Sequence, residues 1–379
     1  MSIFASAVFS LALDVSFFTL TVSSLPIAVC RFTIAVCRFT FHDSRLTIHH
    51  SPFPFHVSRP TIPDCRIFAA YMKALIYKST GSWYVAGAED GQVYNARLKG
   101  VFKMEGLNST NPVAVGDEVD IDIEEVAENT AIITNIYDRR NYMVRASPHH
   151  RLHHHIIASN LDQALLFATL KEPRTSQGFI DRFLVSAEAY HIPAIVVFNK
   201  SDIYKKKELD KFAELKDIYE GIGYRVLLAS MQTGQGAEEI KDLLRDKTTL
   251  LSGHSGVGKS TFINTVFPHM GLRTQEVSGW SGKGMHTTTF AEMFNLPGGG
   301  RIIDTPGIRE YGLVDIPKQE LSHYFPEMRR LLGNCQFNNC LHVNEPGCAV
   351  KYAAENSLMA MDRYVSYYAI LESITENKY

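Results

Sequence analysis

From Met72 onward the order of apolar and polar positions changes character twice. Ala74–Tyr77, Trp83–Val85, Gln92–Tyr94 and Val119–Ile123 are short β-rich runs, and the last alternates strictly between aliphatic and acidic residues. Alternation buries one face of a strand and leaves the other wet. Gly81, Gly87, Gly91, Gly100 and Gly116 punctuate these runs, a spacing that predicts a small β-barrel of the OB type. Beyond it, Ala164–Ala168, Pro193–Phe198, Arg225–Leu228, Thr248–Leu251 and Gly300–Ile303 read as strands of an open, parallel α/β sheet. Ile180–Tyr190 and Thr261–Val266 carry helical patterns between them, and Lys318–Leu332 and Tyr352–Ile374 are helix-like again. The expected fold class is multi-domain, with residues 72–148 a β-barrel, 149–312 an α/β core and 313–379 a small helical end.

The α/β strands end in polar motifs, the place where ligands bind in open parallel sheets. Gly253-His254-Ser255-Gly256-Val257-Gly258-Lys259-Ser260, followed by Thr261, has the phosphate-loop spacing. Its backbone N–H groups can cradle phosphates, Lys259 can reach the terminal ones, and Ser260 can hold Mg²⁺. Asn199-Lys200-Ser201-Asp202 has the form of a guanine reader: a carboxylate accepts two N–H groups that guanine offers and adenine does not. The loop at Ser230 can supply a backbone N–H to the guanine carbonyl. Asp304-Thr305-Pro306-Gly307 can hold Mg²⁺ through water and offer the Gly307 N–H to the γ-phosphate. The base reader precedes the phosphate loop, which inverts the common order in GTPases, and together the three motifs predict GTP binding.

Gly282–Thr289 lies between the phosphate loop and Asp304, and Thr287 or Thr288 is expected to complete the Mg²⁺ shell; a plain flexible polar loop is the alternative. Ile308 follows Gly307, where many GTPases place a water-orienting Gln. An apolar residue cannot orient water, so His286 is the nearest candidate for the catalytic role. Packing or RNA contact is the other reading for that histidine.

Cys335-x₄-Cys340-x-His342-x₅-Cys348 offers three thiolates and one imidazole, a closed tetrahedral set for one structural Zn²⁺. The remaining cysteines, Cys30, Cys37 and Cys65, all lie before Met72. Metal binding in a reducing compartment suits the C-terminal cluster better than disulfides. Charged residues make up 21% and the net charge is −2, so the whole-chain balance gives no sign of nucleic-acid binding. A local basic run, Arg139-Arg140-Asn141-Tyr142-Met143-Val144-Arg145, is the better RNA footprint. His149, His150, His153, His154 and His155 read as a solvated linker rather than a metal site. No stretch reads convincingly as a membrane span, and a cytoplasmic monomer is expected.

Residues 1–71 contain no Lys, Glu or Gly, whereas the rest is rich in all three. Ala28–Ile34 is repeated as Ala35–Phe41, with decaying echoes to Ile67. This is the composition of a translated tandem nucleotide repeat, with Met72 beginning the functional chain; organelle targeting or a membrane role is the alternative.

Residues 72–379 resemble the ribosome small subunit-dependent GTPase A family. The resemblance is carried by Met72–Trp83, Asn199–Asp202, the phosphate loop, Gly282–Thr289, Asp304–Glu310, Tyr324–Pro326 and Cys335–Val350. It implies an OB domain, a permuted GTPase core and a zinc domain, and a hydrolase of GTP to GDP and phosphate. It implies as partners the small ribosomal subunit and its rRNA, with subunit-stimulated turnover late in subunit maturation. By motif it makes Asn199 and Asp202 the base readers, Lys259 and Ser260 the phosphate and Mg²⁺ residues, His286 the catalytic group, and Cys335, Cys340, His342 and Cys348 the zinc ligands. Lys283 stands where the family often has Arg, which keeps the charge but loses the planar fork. The competing expectation is a nucleotide-gated RNA-binding module with little hydrolysis.

Overall fold

The computed structural model describes residues 39–42, 45–48, 71–99, 112–124, 128–146, 154–268, 290–305 and 316–374. The chain divides into two units, residues 1–68 and 69–379. In the first, strands β1 (Phe39–His42) and β2 (Arg45–Ile48) pair antiparallel.

The second unit begins with a closed five-stranded barrel. Its strands are β3 (Met72–Ser79), β4 (Tyr84–Ala88), β5 (Val93–Leu98), β6 (Glu118–Ile123) and β7 (Thr130–Ile136). They run in the order β3-β4-β5-β7-β6, and β6 returns to β3 with Ala74 opposite Val119. Only β5 and β7 pair in parallel; the other neighbours are antiparallel. Alternate residues point inward, so Ala74, Ile76, Tyr84, Ala86, Tyr94, Ala96, Val119, Ile121, Ala131 and Ile133 form one buried core. The five-stranded, partly Greek-key closure is the OB arrangement. The closing strand β7 has no counterpart among the four runs read from the sequence.

A hairpin of β8 (Tyr142–Ala146) and β9 (His154–Ser159) leads onward and spans the boundary expected at 148. His154 and His155 begin β9, so the end of the histidine run is strand rather than linker; His149, His150 and His153 lie outside the described residues. Arg139 is committed to the fold. It donates to both carboxylate oxygens of Asp117, at 2.7 and 2.6 Å, and to the Pro112 carbonyl. Asp117 is fully buried and also accepts from Ser159 Oγ at 2.6 Å, which ties the barrel to β9. Arg140 pairs with Asp162 at 3.0 Å. Of the expected RNA footprint Arg139 is therefore structural, whereas the Arg140 side chain stays 61% exposed.

The α/β core is built on β10 (Gln163–Ala168), β11 (Ala194–Phe198), β12 (Arg225–Leu228), β13 (Thr248–Ser252), β14 (Glu292–Asn295) and β15 (Arg301–Asp304). Their order across the sheet is β12-β11-β10-β13-β15-β14. All neighbours are parallel except β14, which pairs antiparallel with β15. Every residue of β10, β11 and β13 is buried, as expected of strands covered on both faces. Helices α1 (Gln177–Ala189) and α2 (Lys206–Gly221) pack on one face around Phe183, Leu184 and Tyr219. Helices α3 (Ala237–Leu244) and α4 (Lys259–Val266) pack on the other around Ile240, Phe262 and Ile263. The phosphate-loop strand β13 sits mid-sheet with β10 to β12 preceding it in sequence, which keeps the base reader ahead of the phosphate loop. The barrel and core sheets join where Glu292 of β14 faces Lys78 of β3, with their side chains ion-paired at 2.8 Å.

The C-terminal part is less regular than its pattern predicts. Lys318–Leu332 resolves into a 3₁₀ turn at Leu321–Tyr324 and a one-turn α5 (Pro326–Arg329). Pro326 sits at the first helical position, where its missing N–H costs nothing. Tyr352–Ile374 is likewise split, into α6 (Ala349–Glu355) and α7 (Met361–Ser373). These elements share a core with Val185 of α1. Arg363 of α7 is fully buried and pairs with Asp181 of α1 and Glu327 of α5, each at 2.7 Å. Tyr219 of α2 also donates to Asp181, at 2.7 Å. Burial alone would lower the pKa of Arg363; the carboxylates of Asp181 and Glu327 outweigh it and raise it, which keeps the guanidinium charged. Among the described residues no helix is long and apolar enough to cross a membrane.

Candidate functional site

The loop Gly253–Gly258 leaves β13 and enters α4 through backbone shapes that exclude side chains. Gly253, Gly256 and Gly258 have φ of 136°, 82° and 102°. A Cβ on Gly253 would collide with the Phe167 carbonyl of β10, and one on Gly258 with the side chain of Asn199. The loop therefore fits only this strand arrangement. Lys259, buried at the start of α4, turns back and donates to the carbonyls of Gly253 at 2.7 Å and His254 at 3.2 Å. Burial pushes its pKa down, partly countered by Asp304. Ser255 and Thr261 are exposed, Ser260 half-buried and Val257 buried.

Asn199, at the end of β11, is the joint between the two motifs. Its Nδ2 donates to the Val257 carbonyl at 2.8 Å, and its Oδ1 accepts from the Met231 N–H at 3.2 Å. Lys200 adopts a left-handed conformation, φ 68°, and its Nζ donates to the Glu172 carbonyl at 2.5 Å. That turn throws Ser201–Ile203 into a 3₁₀ turn and leaves Asp202 exposed. The Ser230 hydroxyl donates to Asp202 Oδ1 at 2.5 Å and so orients the carboxylate. The Ser230 N–H is engaged with the Gln235 carbonyl at 3.0 Å, and Ser201 Oγ donates to Gln235 Oε1 at 2.8 Å. The loop amides nearest the base reader are thus occupied within the protein, and Ser230 contributes its hydroxyl.

Asp304 ends β15, in register with Leu251 of β13. Burial pushes its carboxyl up to about 6 against the lowering effect of Lys259. Its Oδ1 is buried with no hydrogen-bond partner, as is Ser252 Oγ. An orphaned buried carboxylate oxygen beside a lysine and a phosphate loop suits a hydrated divalent cation. Thr305 Oγ1 donates to the Leu251 carbonyl at 2.9 Å and fixes the start of the next loop. Gly307, Ile308, Lys283, His286, Thr287 and Thr288 lie outside the described residues.

Three contributors went unread in the sequence. Tyr204 accepts from the Leu170 N–H at 2.9 Å and donates to the Asn199 carbonyl at 2.6 Å, holding the base loop from beneath. Gln235 organises Ser201 and Ser230, as above. Phe179 of α1 stacks on His254, with centroids 3.8 Å apart. The only sequence signal for Tyr204 was its place two residues after Asp202, and an aromatic there reads equally as core.

Cys335, Cys340, His342 and Cys348 come together, with their ligand atoms all within 4.8 Å of one another. His342 Nδ1 lies 3.6 Å from Cys335 Sγ and 3.4 Å from Cys348 Sγ. A tetrahedral zinc with ordinary Zn–S and Zn–N bonds sets sulfur and nitrogen roughly 3.6 Å apart, so the spacing fits that ion. Glu345 locks the knuckle by accepting from the N–H groups of Leu341, Val343 and Asn344 at 2.9, 2.9 and 3.1 Å. Both Tyr364 and Tyr367 of α7 donate to the same loop, at His342 and Leu341.

Comparison with known proteins places this geometry. The family model described as RsgA GTPase matches residues 136–314, and that described as RsgA N-terminal domain matches residues 73–133. A relative from Cytophaga hutchinsonii, named small ribosomal subunit biogenesis GTPase RsgA, is 53% identical over 300 residues, covering 79% of this chain and 98% of its own. The crystal structure of YjeQ from Thermotoga maritima is similar, with TM-score 0.63 and 33% identity, over 79% of this chain and 97% of that one. So is that of YloQ, described as a circularly permuted GTPase, with TM-score 0.62 and 29% identity, over 83% of this chain and 99% of that one.

Proposed function

The chain belongs to the RsgA GTPase family, and from that premise we propose that it hydrolyses GTP to assist late maturation of the small ribosomal subunit, with turnover stimulated by that subunit. The observation that carries this reading is the Asn199–Val257 hydrogen bond, which binds base reader and phosphate loop into one pocket despite their inverted order. Asp202, oriented by Ser230, accepts the two guanine N–H groups. Lys259 leaves the carbonyls of Gly253 and His254 for the terminal phosphates, whose oxygens the loop amides cradle. Asp304 and Ser260 would hold Mg²⁺ with Thr287 or Thr288, and the ion would neutralise phosphate charge. Gly307 meets the γ-phosphate. His286 positions or deprotonates the attacking water, a task for which Ile308 is chemically unfit.

The Cys335, Cys340, His342 and Cys348 cluster would hold one structural Zn²⁺, which would cross-link a segment of short helices. We place the function in the chain from Met72 onward, with domains 72–148, 149–312 and 313–379, the first two joined by the β8–β9 hairpin that crosses their boundary, acting as a cytoplasmic monomer on the small subunit and its rRNA. The test is GTP turnover with and without purified small subunits, with ATP in parallel. Stimulated, guanine-specific turnover is expected. Turnover that subunits leave unchanged, or that uses ATP equally well, would overturn the reading in favour of a nucleotide-gated binding module.

A further inference from the structure

Helix α7 carries an apolar stripe on its outer side, where solvent should favour charge. Inward it buries Arg363, Ser366, Tyr367, Ile370 and Leu371. Outward it presents Met361, Val365 and Tyr368, at the i, i+4, i+7 spacing of one helical stripe, 46%, 58% and 39% exposed. The turn before it adds Leu358 at 74%, and α6 adds Tyr352 at 62%. Five large apolar side chains between Tyr352 and Tyr368 thus face outward. A cluster of this kind marks an interaction surface.

The charges around the stripe decide what it fits. Lys351, the lysine of α6, pairs with Glu355 at 4.0 Å. Arg363, the arginine of α7, is buried between Asp181 and Glu327. Nucleic-acid surfaces need free cations for the backbone, even where aromatic rings stack on bases. Both pairs around the stripe are loose and exposed, Lys351 with Glu355 at 4.0 Å and Lys211 of α2 with Asp362 at 3.7 Å, and Glu372 accepts from Tyr368 at its far end, so among the described residues three acids stand against two exposed cations.

Resting on the function proposed above, we propose that the Tyr352–Tyr368 face docks a protein segment of the small ribosomal subunit, not its RNA. That segment carries apolar side chains for the stripe, flanked by Lys or Arg for Glu355, Asp362 and Glu372. Docking of this kind uses the stripe as anchors and the acidic rim for orientation.

A photo-cross-linking amino acid at Val365 of the full chain, added with a GTP analogue to purified small subunits, tests it directly. The expected adduct is a protein that survives ribonuclease and is identified by mass spectrometry as a basic subunit component. Val365→Lys and Val365→Glu give an independent sign. Both lose the apolar contact, but Lys meets like charge on the partner. The half-saturating subunit concentration for stimulated turnover should rise about tenfold for Lys and about threefold for Glu. Intrinsic turnover should stay unchanged in both, since Val365 is exposed on α7 and is none of the nucleotide residues, and serves as the folding control. A ribonuclease-sensitive adduct, tighter binding by Val365→Lys, or no effect of either substitution would overturn the proposal. Absence of stimulation in the unsubstituted chain would sink the function it rests on instead.

Discussion

The side-chain amide of Asn199 reaches across to the phosphate loop and donates to the Val257 carbonyl at 2.8 Å, while its oxygen accepts from Met231. One buried side chain therefore sets the distance between the pocket for the base and the pocket for the phosphates. Asn199→Ala leaves a buried carbonyl and a buried N–H unpaired, a loss of about 1–3 kcal/mol. Affinity for GTP and GDP should fall together, by roughly ten- to a hundredfold, as measured by nucleotide titration. Equal affinity in variant and parent would show that the joint is dispensable.

Asp202 carries base identity rather than the frame. Asp202→Asn converts one acceptor into a donor, which suits the second carbonyl of xanthine. Discrimination should invert, with GTP affinity falling by about a hundredfold or more while xanthosine triphosphate binds better. Competition between the two nucleotides reads this out, and retained guanine preference would exclude Asp202 as the reader.

Arg363 is the joint between the C-terminal elements and the core helices. Removing one partner of a buried ion pair strands the other, at a cost of about 3–5 kcal/mol. Arg363→Ala should lower the denaturation midpoint sharply, more than Lys211→Ala, whose pairs with Glu214 and Asp362 are exposed. Equal effects of the two substitutions would mean that the buried network holds nothing.

Metal removal should separate the two sites. Chelation takes away the cross-link within Cys335–Cys348 and should loosen the core shared by Cys340, Cys348, Val350 and Tyr367. Guanine nucleotide binding should persist, because its residues lie on β11, β13 and β15. Helical circular dichroism and GDP titration, before and after chelation, check both halves.

His254 gives a pH signature. Burial first, and the Lys259 charge second, hold its pKa below the ordinary imidazole value. The unfolded chain then takes up the proton before the folded one. Stability should fall as pH drops through the unfolded value near 6.5 toward the lower folded one, and stay level above it. His254→Gln should flatten that part of the nucleotide-free stability profile. An unchanged profile would assign the slope to other groups.

The legible parts of the fold were those where local pattern and tertiary setting agree. Arg225–Leu228 is both pattern and strand, because Val226 and Leu227 are buried where this edge strand pairs with β11. The glycines of the phosphate loop were legible because no other residue type tolerates those backbone angles. Thr130–Ile136 closes the barrel through β5 and β6, yet Ala131-Ile132-Ile133 and Thr134-Asn135 break the apolar–polar alternation, so only its burial alternates and the sequence hides the strand. Arg139 read as an RNA contact because a sequence window cannot reveal Asp117, its partner 22 residues earlier. The long helix expected over Tyr352–Ile374 breaks at Ser357, whose left-handed φ of 58° ends α6. Tyr204 and Gln235 were illegible because each acts through backbone groups of other motifs.

The permuted strand order also fixes the order in which the sheet can be made. On an emerging chain β10, β11 and β12 are complete while β13, the partner on the other edge of β10, has yet to be synthesised. The fully buried strand β10 therefore waits with one row of N–H and C=O groups open, a template for wrong pairing. The base reader is born well before any loop that can hold phosphate, and Asn199 gains its partner only when Val257 arrives. Nucleotide cannot stabilise the early half, so for this chain GTP or GDP acts as a clasp on a nearly finished sheet rather than as a nucleus for it.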